Sequence, residues 1–170
     1  MWQLTRNKAW SYLEEHFDWV RDMNMTPQDP KHHAEGNVAI HTQMVLEELI
    51  KSTAYQSLST QNQEILWAAA LMHDIEKRST TIVESDGSIT SRGHAKKGEQ
   101  SVRTWLYQYS VTPFDVREQI AKLVKYHGLP LWFFEKPNPQ KAIIQTNLEV
   151  NMQWLSLLAE ADSRGRICHD

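Results

Sequence analysis

The run EILWAAALMHDIEK, residues 64–77, constrains the fold more than any other stretch. From Ile65 to Met72 every residue is apolar, and a helix that is apolar on all sides has to be enclosed by other elements. His73 and Asp74 follow at once. A carboxylate at the end of a buried helix is costly unless it is paired or bound to a metal. Adjacent helical residues point about a hundred degrees apart, so the two do not stack, yet they can converge on an object placed between them.

Other segments repeat this combination of apolar face and single polar side chain. Trp10, Leu13, Phe17 and Val20 recur at helical spacing and predict an amphipathic helix over 3–24. The turn-rich NMTPQDPKHHAEGN follows, where two prolines and a glycine preclude regular structure. In VAIHTQMVLEELI a second helix carries Val38, His41, Val45 and Leu49 on one stripe. Ser59 or Thr60 caps a third, which runs to His73. The stretch RSTTIVESDGSITSRG reads as a loop or small hairpin around Asp-Gly. A fourth helix starts near His94 and runs to Tyr109. Thr112 as cap and Pro113 at the first position open a fifth, with Val116, Ile120, Leu123 and His127 on one side and Gly128 ending it. The last helix, 139–166, has Leu155, Leu158 and Asp162 in line. The expectation is an all-α helical bundle, one domain over 1–170, with no sheet of consequence.

A lone histidine on an apolar face is more commonly a hydrogen-bonded core residue than a ligand. His41, His73, His127 and Asp162, from four helices facing one core, are harder to dismiss, because metal sites in bundles are built in this way. Cys168 is the single cysteine, which excludes an internal disulfide and a cysteine zinc site. The net charge of −3 means that affinity for phosphates has to come from a local basic cluster. No apolar run approaches the ~20 residues that span a bilayer, and MWQLTRNKAW lacks a leader pattern; the expected location is cytoplasmic, with no membrane partner.

The ordered set His41, His73-Asp74, His94, His127 and Asp162 resembles the HD phosphohydrolase superfamily, whose signature is H…HD…H…H…D over a bundle of helices. HAEGNVAIHT and ADSRGR are similar to segments of the HD domains of bacterial tRNA nucleotidyltransferases. The chain also resembles the phosphatase module of bacterial HD-type polynucleotide kinase-phosphatases, enzymes of RNA end healing in which a kinase module follows. No G-x-x-x-x-G-K-[ST] run is present here, as in an excised phosphatase module. Where the family usually has a glycine before the lysine, Glu76 stands, and it reads as an exposed departure without function.

The resemblance implies two divalent transition metal ions, and ligands of this type without cysteine suit Mn, Fe, Co, Ni or Zn. It places His41, His73, Asp74 and Asp162 on the first ion and His94 and His127 on the second, with Asp74 bridging and positioning the nucleophile; His33 competes with His41 as first ligand. Two ions clamp a phosphoryl group and acidify water. Lys77, one turn beyond His73 on the same helix face, and Arg166, one turn beyond Asp162, are phosphate-contact candidates, with Arg164 nearby. Lys96, Lys97 and Arg103 read as an exposed helix face. Leu131, Trp132, Phe133 and Phe134 read as a loop plugging the core, with one aromatic able to stack a base. His16, His32 and His169 read as surface.

The activity implied is removal of phosphate from RNA 3′ ends (2′,3′-cyclic phosphate, 2′-phosphate or 3′-phosphate). The alternatives are a nucleotidase or small phosphate-ester hydrolase, an HD di-iron oxygenase, and a non-catalytic HD module.

Overall fold

A computed structural model describes residues 1–168; His169 lies outside the described residues, and so does its expected surface position. The central element is α5 (Thr60–Met72), whose residues from Ile65 onward are all buried. Its three consecutive alanines let neighbours approach closely, and α3 (Val38–Lys51), α8 (Phe114–Tyr126) and α10 (Met152–Arg164) pack directly on it. α7 (His94–Tyr109) lies antiparallel to α8 on the outside of the bundle. Side-chain caps fix where the helices begin. Asn37 Oδ1 accepts from Ile40 N, Ser59 Oγ from Asn62 N, and Asn151 Oδ1 from Trp154 N. The architecture is all-α; among the described residues the one sheet is the hairpin Ile82–Val83 with Ile89–Thr90, turned around Gly87 at φ 85°.

The segmentation differs from expectation at four places. The helix over 3–24 is two short ones, α1 (Trp10–His16) and α2 (Asp18–Met23), with Phe17 extended between them. The cause is tertiary. Phe17 packs on Trp19 and Trp105, with ring centroids 5.6 and 5.5 Å apart, and Trp2 is tied to Gln61 through both of its backbone groups. The helix over 139–166 divides into α9 (Pro139–Asn147) and α10, because Asn151 caps a new start and Val150 turns into the core. α8 starts at Phe114 with Pro113 as its cap, so Thr112, expected to cap, instead leaves its hydroxyl buried without a partner. Finally, α5 stops at Met72; residues 73–76 turn, and Lys77 opens the separate short helix α6 (Lys77–Thr80). Lys77 therefore does not share a helix face with His73. The short helix α4 (Thr53–Gln56), capped by Ser52, and a 3-10 helix over Leu129–Glu135 were not expected at all.

Candidate metal centre

Five helices deliver one side chain or a pair each to a single buried point: His41 from α3, His73-Asp74 from the end of α5, His94 from the start of α7, His127 from the end of α8, and Asp162 from α10. All are buried except His94, which is partly exposed. The four imidazoles share one orientation. Each Nδ1 meets a backbone carbonyl: Gly165 O at 3.0 Å for His41, Ala70 O at 2.7 Å for His73, Ser91 O at 2.7 Å for His94 and Val124 O at 2.8 Å for His127. A carbonyl only accepts, so Nδ1 carries a hydrogen and donates it, and Nε2 is turned to the centre.

Those nitrogens face one another in pairs. His41 Nε2 is 3.4 Å from His73 Nε2, and His94 Nε2 is 3.4 Å from His127 Nε2. Asp74 lies between the pairs. Its Oδ2 is 3.2 Å from His73 Nε2 and 3.8 Å from His41 Nε2, while its Oδ1 is 3.2 Å from His94 Nε2 and 3.7 Å from His127 Nε2. Asp162 closes the first group with Oδ1 3.1 Å from His41 Nε2. Both Asp74 oxygens are buried without a properly directed hydrogen bond, although the Lys77 ammonium lies 2.8 Å from Oδ2. Imidazole nitrogens gathered around a carboxylate that lacks a hydrogen bond need a cation among them, which a proton on His41 or a metal ion supplies. This donor set fits divalent metal, in two groups that meet at Asp74: His41, His73 and Asp74, and Asp74, His94 and His127; His33, Glu35 and His41 form a further group beside them.

The charges follow the same geometry. Burial pushes the Asp74 carboxyl up, but His73 and Lys77 outweigh it and hold it well below the usual range; Asp162 is likewise held down, against burial, by His41 and Arg166. Burial disfavours charge on His41, yet its contacts to Asp162 and Glu35 raise it to about 9. Burial and the neighbouring His73 lower His127 to about 4.

Of the three cations expected at the phosphate, Lys77 lies beside Asp74 and Arg166 beside Asp162. Arg166, two residues past the end of α10, has Nη2 2.7 Å from Asp162 Oδ2, at the expected i,i+4 spacing. Arg164 does not come to the site; it is exposed and paired with Glu160 at 2.7 Å. His33 is outside the set that surrounds Asp74. It lies edge-on to His41, with Nδ1 2.8 Å from Glu35 Oε1. Glu35 itself is the residue that sequence reading missed. Its carboxylate is buried, 2.8 Å from His33 and 3.1 Å from His41, and accepts from Ile167 N. The turn at Gly36 (φ 112°) lets the loop fold over at this point. The available signal was an acidic residue between two candidate histidines in HHAEGNVAIH.

Three further expectations need correction or refinement. Glu76 is buried, not exposed: it accepts from Ser79 and pairs with Lys97 at 3.1 Å, bracing the turn that carries Lys77. Lys96 and Lys97 are exposed as expected, whereas Arg103 is half-buried against Glu99 and Glu118. Of the aromatics after His127, Phe133 alone is buried; Trp132 and Phe134 are exposed. His16 and His32 lie at the surface. No helix of the described residues is long and apolar enough to cross a membrane.

The HD domain family matches residues 37–146, which include His41, His73, Asp74, His94 and His127. The Multifunctional CCA protein of Methylococcus capsulatus is 30% identical over 117 residues, covering 69% of this chain and 25% of that protein. The chain thus spans about a quarter of that relative's length. No solved structure matches the chain.

Proposed function

The chain belongs to the HD domain family of metal-dependent hydrolases, and from this premise we propose that it removes phosphate from RNA 3′ ends carrying a 2′,3′-cyclic phosphate, a 2′-phosphate or a 3′-phosphate. The observation that carries a phosphate substrate is the pair of cations on the rim. Lys77 is 2.8 Å from Asp74 and Arg166 2.7 Å from Asp162, so each ligand carboxylate has a positive group beside it that a phosphoryl oxygen can share. The likeness to a CCA protein supports RNA over other phosphate esters.

In this reading His41, His73, Asp74 and Asp162 would hold one ion, and His94 and His127, with Asp74 shared, would hold a second, of the Mn, Co, Ni, Fe or Zn kind. Ions held there supply Lewis-acid charge and water acidified toward neutrality. The protein's own groups do the rest. Lys77 and Arg166 bind and orient the phosphoryl oxygens, and Asp74 accepts a hydrogen bond from the attacking water, fixing its approach. Glu35, held at about 2 by His41, the Ile167 N–H and His33 against the effect of burial, is an ionised acceptor. It fixes the proton of His33 on Nδ1, and burial together with Lys77 keeps that ring neutral, at about 4. The His33 Nε2 is left to accept from a ribose hydroxyl.

The test compares metal-loaded protein on an RNA oligonucleotide bearing each 3′-end phosphate with free nucleoside monophosphates. The expected kcat/KM is at least about tenfold higher for the RNA ends, as one or two extra contacts provide. Equal or faster turnover of free nucleotides would leave a nucleotidase, and oxygen-dependent turnover without phosphate release would leave neither.

A further inference from the structure

Gln28 belongs to the loop before α3 and is fixed there by its backbone. Its N–H donates to Gly36 O at 3.0 Å, Val38 N donates to Thr26 O at 3.0 Å, and Pro27 pairs with Asn37 in an antiparallel bridge. Its side chain is buried, 6% exposed, and Oε1 accepts from Lys77 Nζ at 2.5 Å. An ammonium has donors only, so the amide has to show it the oxygen, and its NH2 is thereby turned the other way. That NH2 is buried and has no partner in the protein. A buried donor without an acceptor is unfavourable, and in a native structure such a group is met by a water, an ion or a ligand.

The surroundings define that acceptor. Lys77 Nζ is 2.8 Å from Asp74 Oδ2, so the amide stands one side chain away from the metal ligands. Gln28 takes one of the three ammonium N–H groups and Asp74 attracts the ammonium, leaving at least one N–H free beside the unpaired amide. Two unused donors on neighbouring side chains are of the kind that suits the oxygens of a phosphoryl group.

We propose that Gln28 is a substrate-binding residue whose amide N–H donates to a phosphoryl oxygen beside Lys77. This rests on the phosphohydrolase reading of the site but not on RNA being the substrate, so inorganic phosphate is the probe. Its affinity for the metal-loaded protein is measured by calorimetry in a double-mutant cycle of Gln28→Met and Lys77→Met, with metal content and helical circular dichroism recorded for each variant. A hydrogen bond to a charged oxygen corresponds to about a tenfold weakening in Gln28→Met. A further weakening of at least about threefold is expected when Gln28→Met is added to Lys77→Met, because a direct contact does not act through the lysine. If Gln28→Met loses helical structure, Gln28→Glu carries the same expectation, since it keeps the acceptor for Lys77 and removes the donor. Unchanged phosphate affinity overturns the proposal, leaving a trapped water as partner of the NH2. An effect that vanishes in the Lys77→Met background also overturns it and makes Gln28 a holder of the lysine. Wild-type protein that takes up metal but no phosphate would overturn the phosphohydrolase reading itself, an outcome separate from both.

Discussion

At the scale of single residues, His41 shows how a proton and a metal ion compete for one place. Its Nδ1 is committed to Gly165 O and Glu35, and its Nε2 lies 3.1 Å from Asp162. Without metal, those carboxylates hold its pKa at about 9 against burial, so at pH 7.5 Nε2 carries a proton where the reading places a cation. Metal binding then has to release that proton. Calorimetry of metal binding at pH 7.5, in buffers with different ionisation heats, should report close to one proton released per first ion bound. Release near zero would exclude His41 as a ligand and return His33 to that role. The same pKa sets a trend in the metal-free protein. A folded value above the unfolded ~6.5 gives stability that is complete below pH 6.5 and lost as pH rises toward 9. The histidines and Asp162 were legible in the sequence because each interrupts an apolar helical stripe. Glu35 and Gln28 were not, because a loop has no periodicity for a polar residue to break.

At the scale of elements, the metal centre depends on how closely α10 approaches α3. Gly165 ends α10, and a Cβ there would lie 2.8 Å from Val45 N and 2.9 Å from Val45 Cα. Those are backbone atoms of α3, so no rotamer change relieves the clash and the helices have to part. Gly165→Ala is expected to cost about 1–3 kcal/mol, the usual range for overpacking. It should also weaken metal binding, because the same movement separates His41 from Asp162. Urea unfolding and metal content check both effects. Gly128→Ala, with nothing within 4 Å of the added Cβ, serves as the comparison and should be close to neutral. A Gly165→Ala protein as stable and as metal-rich as wild type would mean that the approach is not required. Helix positions were legible from periodicity, although the last helix was expected to run to 166 and ends at Arg164. The breaks at Phe17 and before Asn151 were hidden, since aromatic packing and a side-chain cap decide them, and neither disturbs the period of the apolar residues.

At the scale of the whole molecule, the proposed ligands come from α3, α5, α7, α8 and α10, so an ion held by them would join segments up to 121 residues apart in the chain. The unfolded chain does not assemble such a set, and metal that binds the folded state alone stabilises it by mass action. At free metal about a hundred times Kd the gain is about 2.7 kcal/mol. For a domain of this size each kcal/mol corresponds to about 2–4 °C, so the Tm should rise by about 5–11 °C on metal loading and fall back with a chelator. The same reasoning concerns charge. With a net charge of −3 and Asp74, Asp162, Lys77 and Arg166 confined to the site, metal-free protein holds two buried carboxylates with less compensation than the loaded protein would have. Phosphate, attracted by the ions, Lys77 and Arg166, should therefore add to the Tm of the metal-loaded protein and leave that of the metal-free protein nearly unchanged. Metal bound in stoichiometric amount with no change in Tm would place it outside the five-helix junction, at a site the unfolded chain offers equally well.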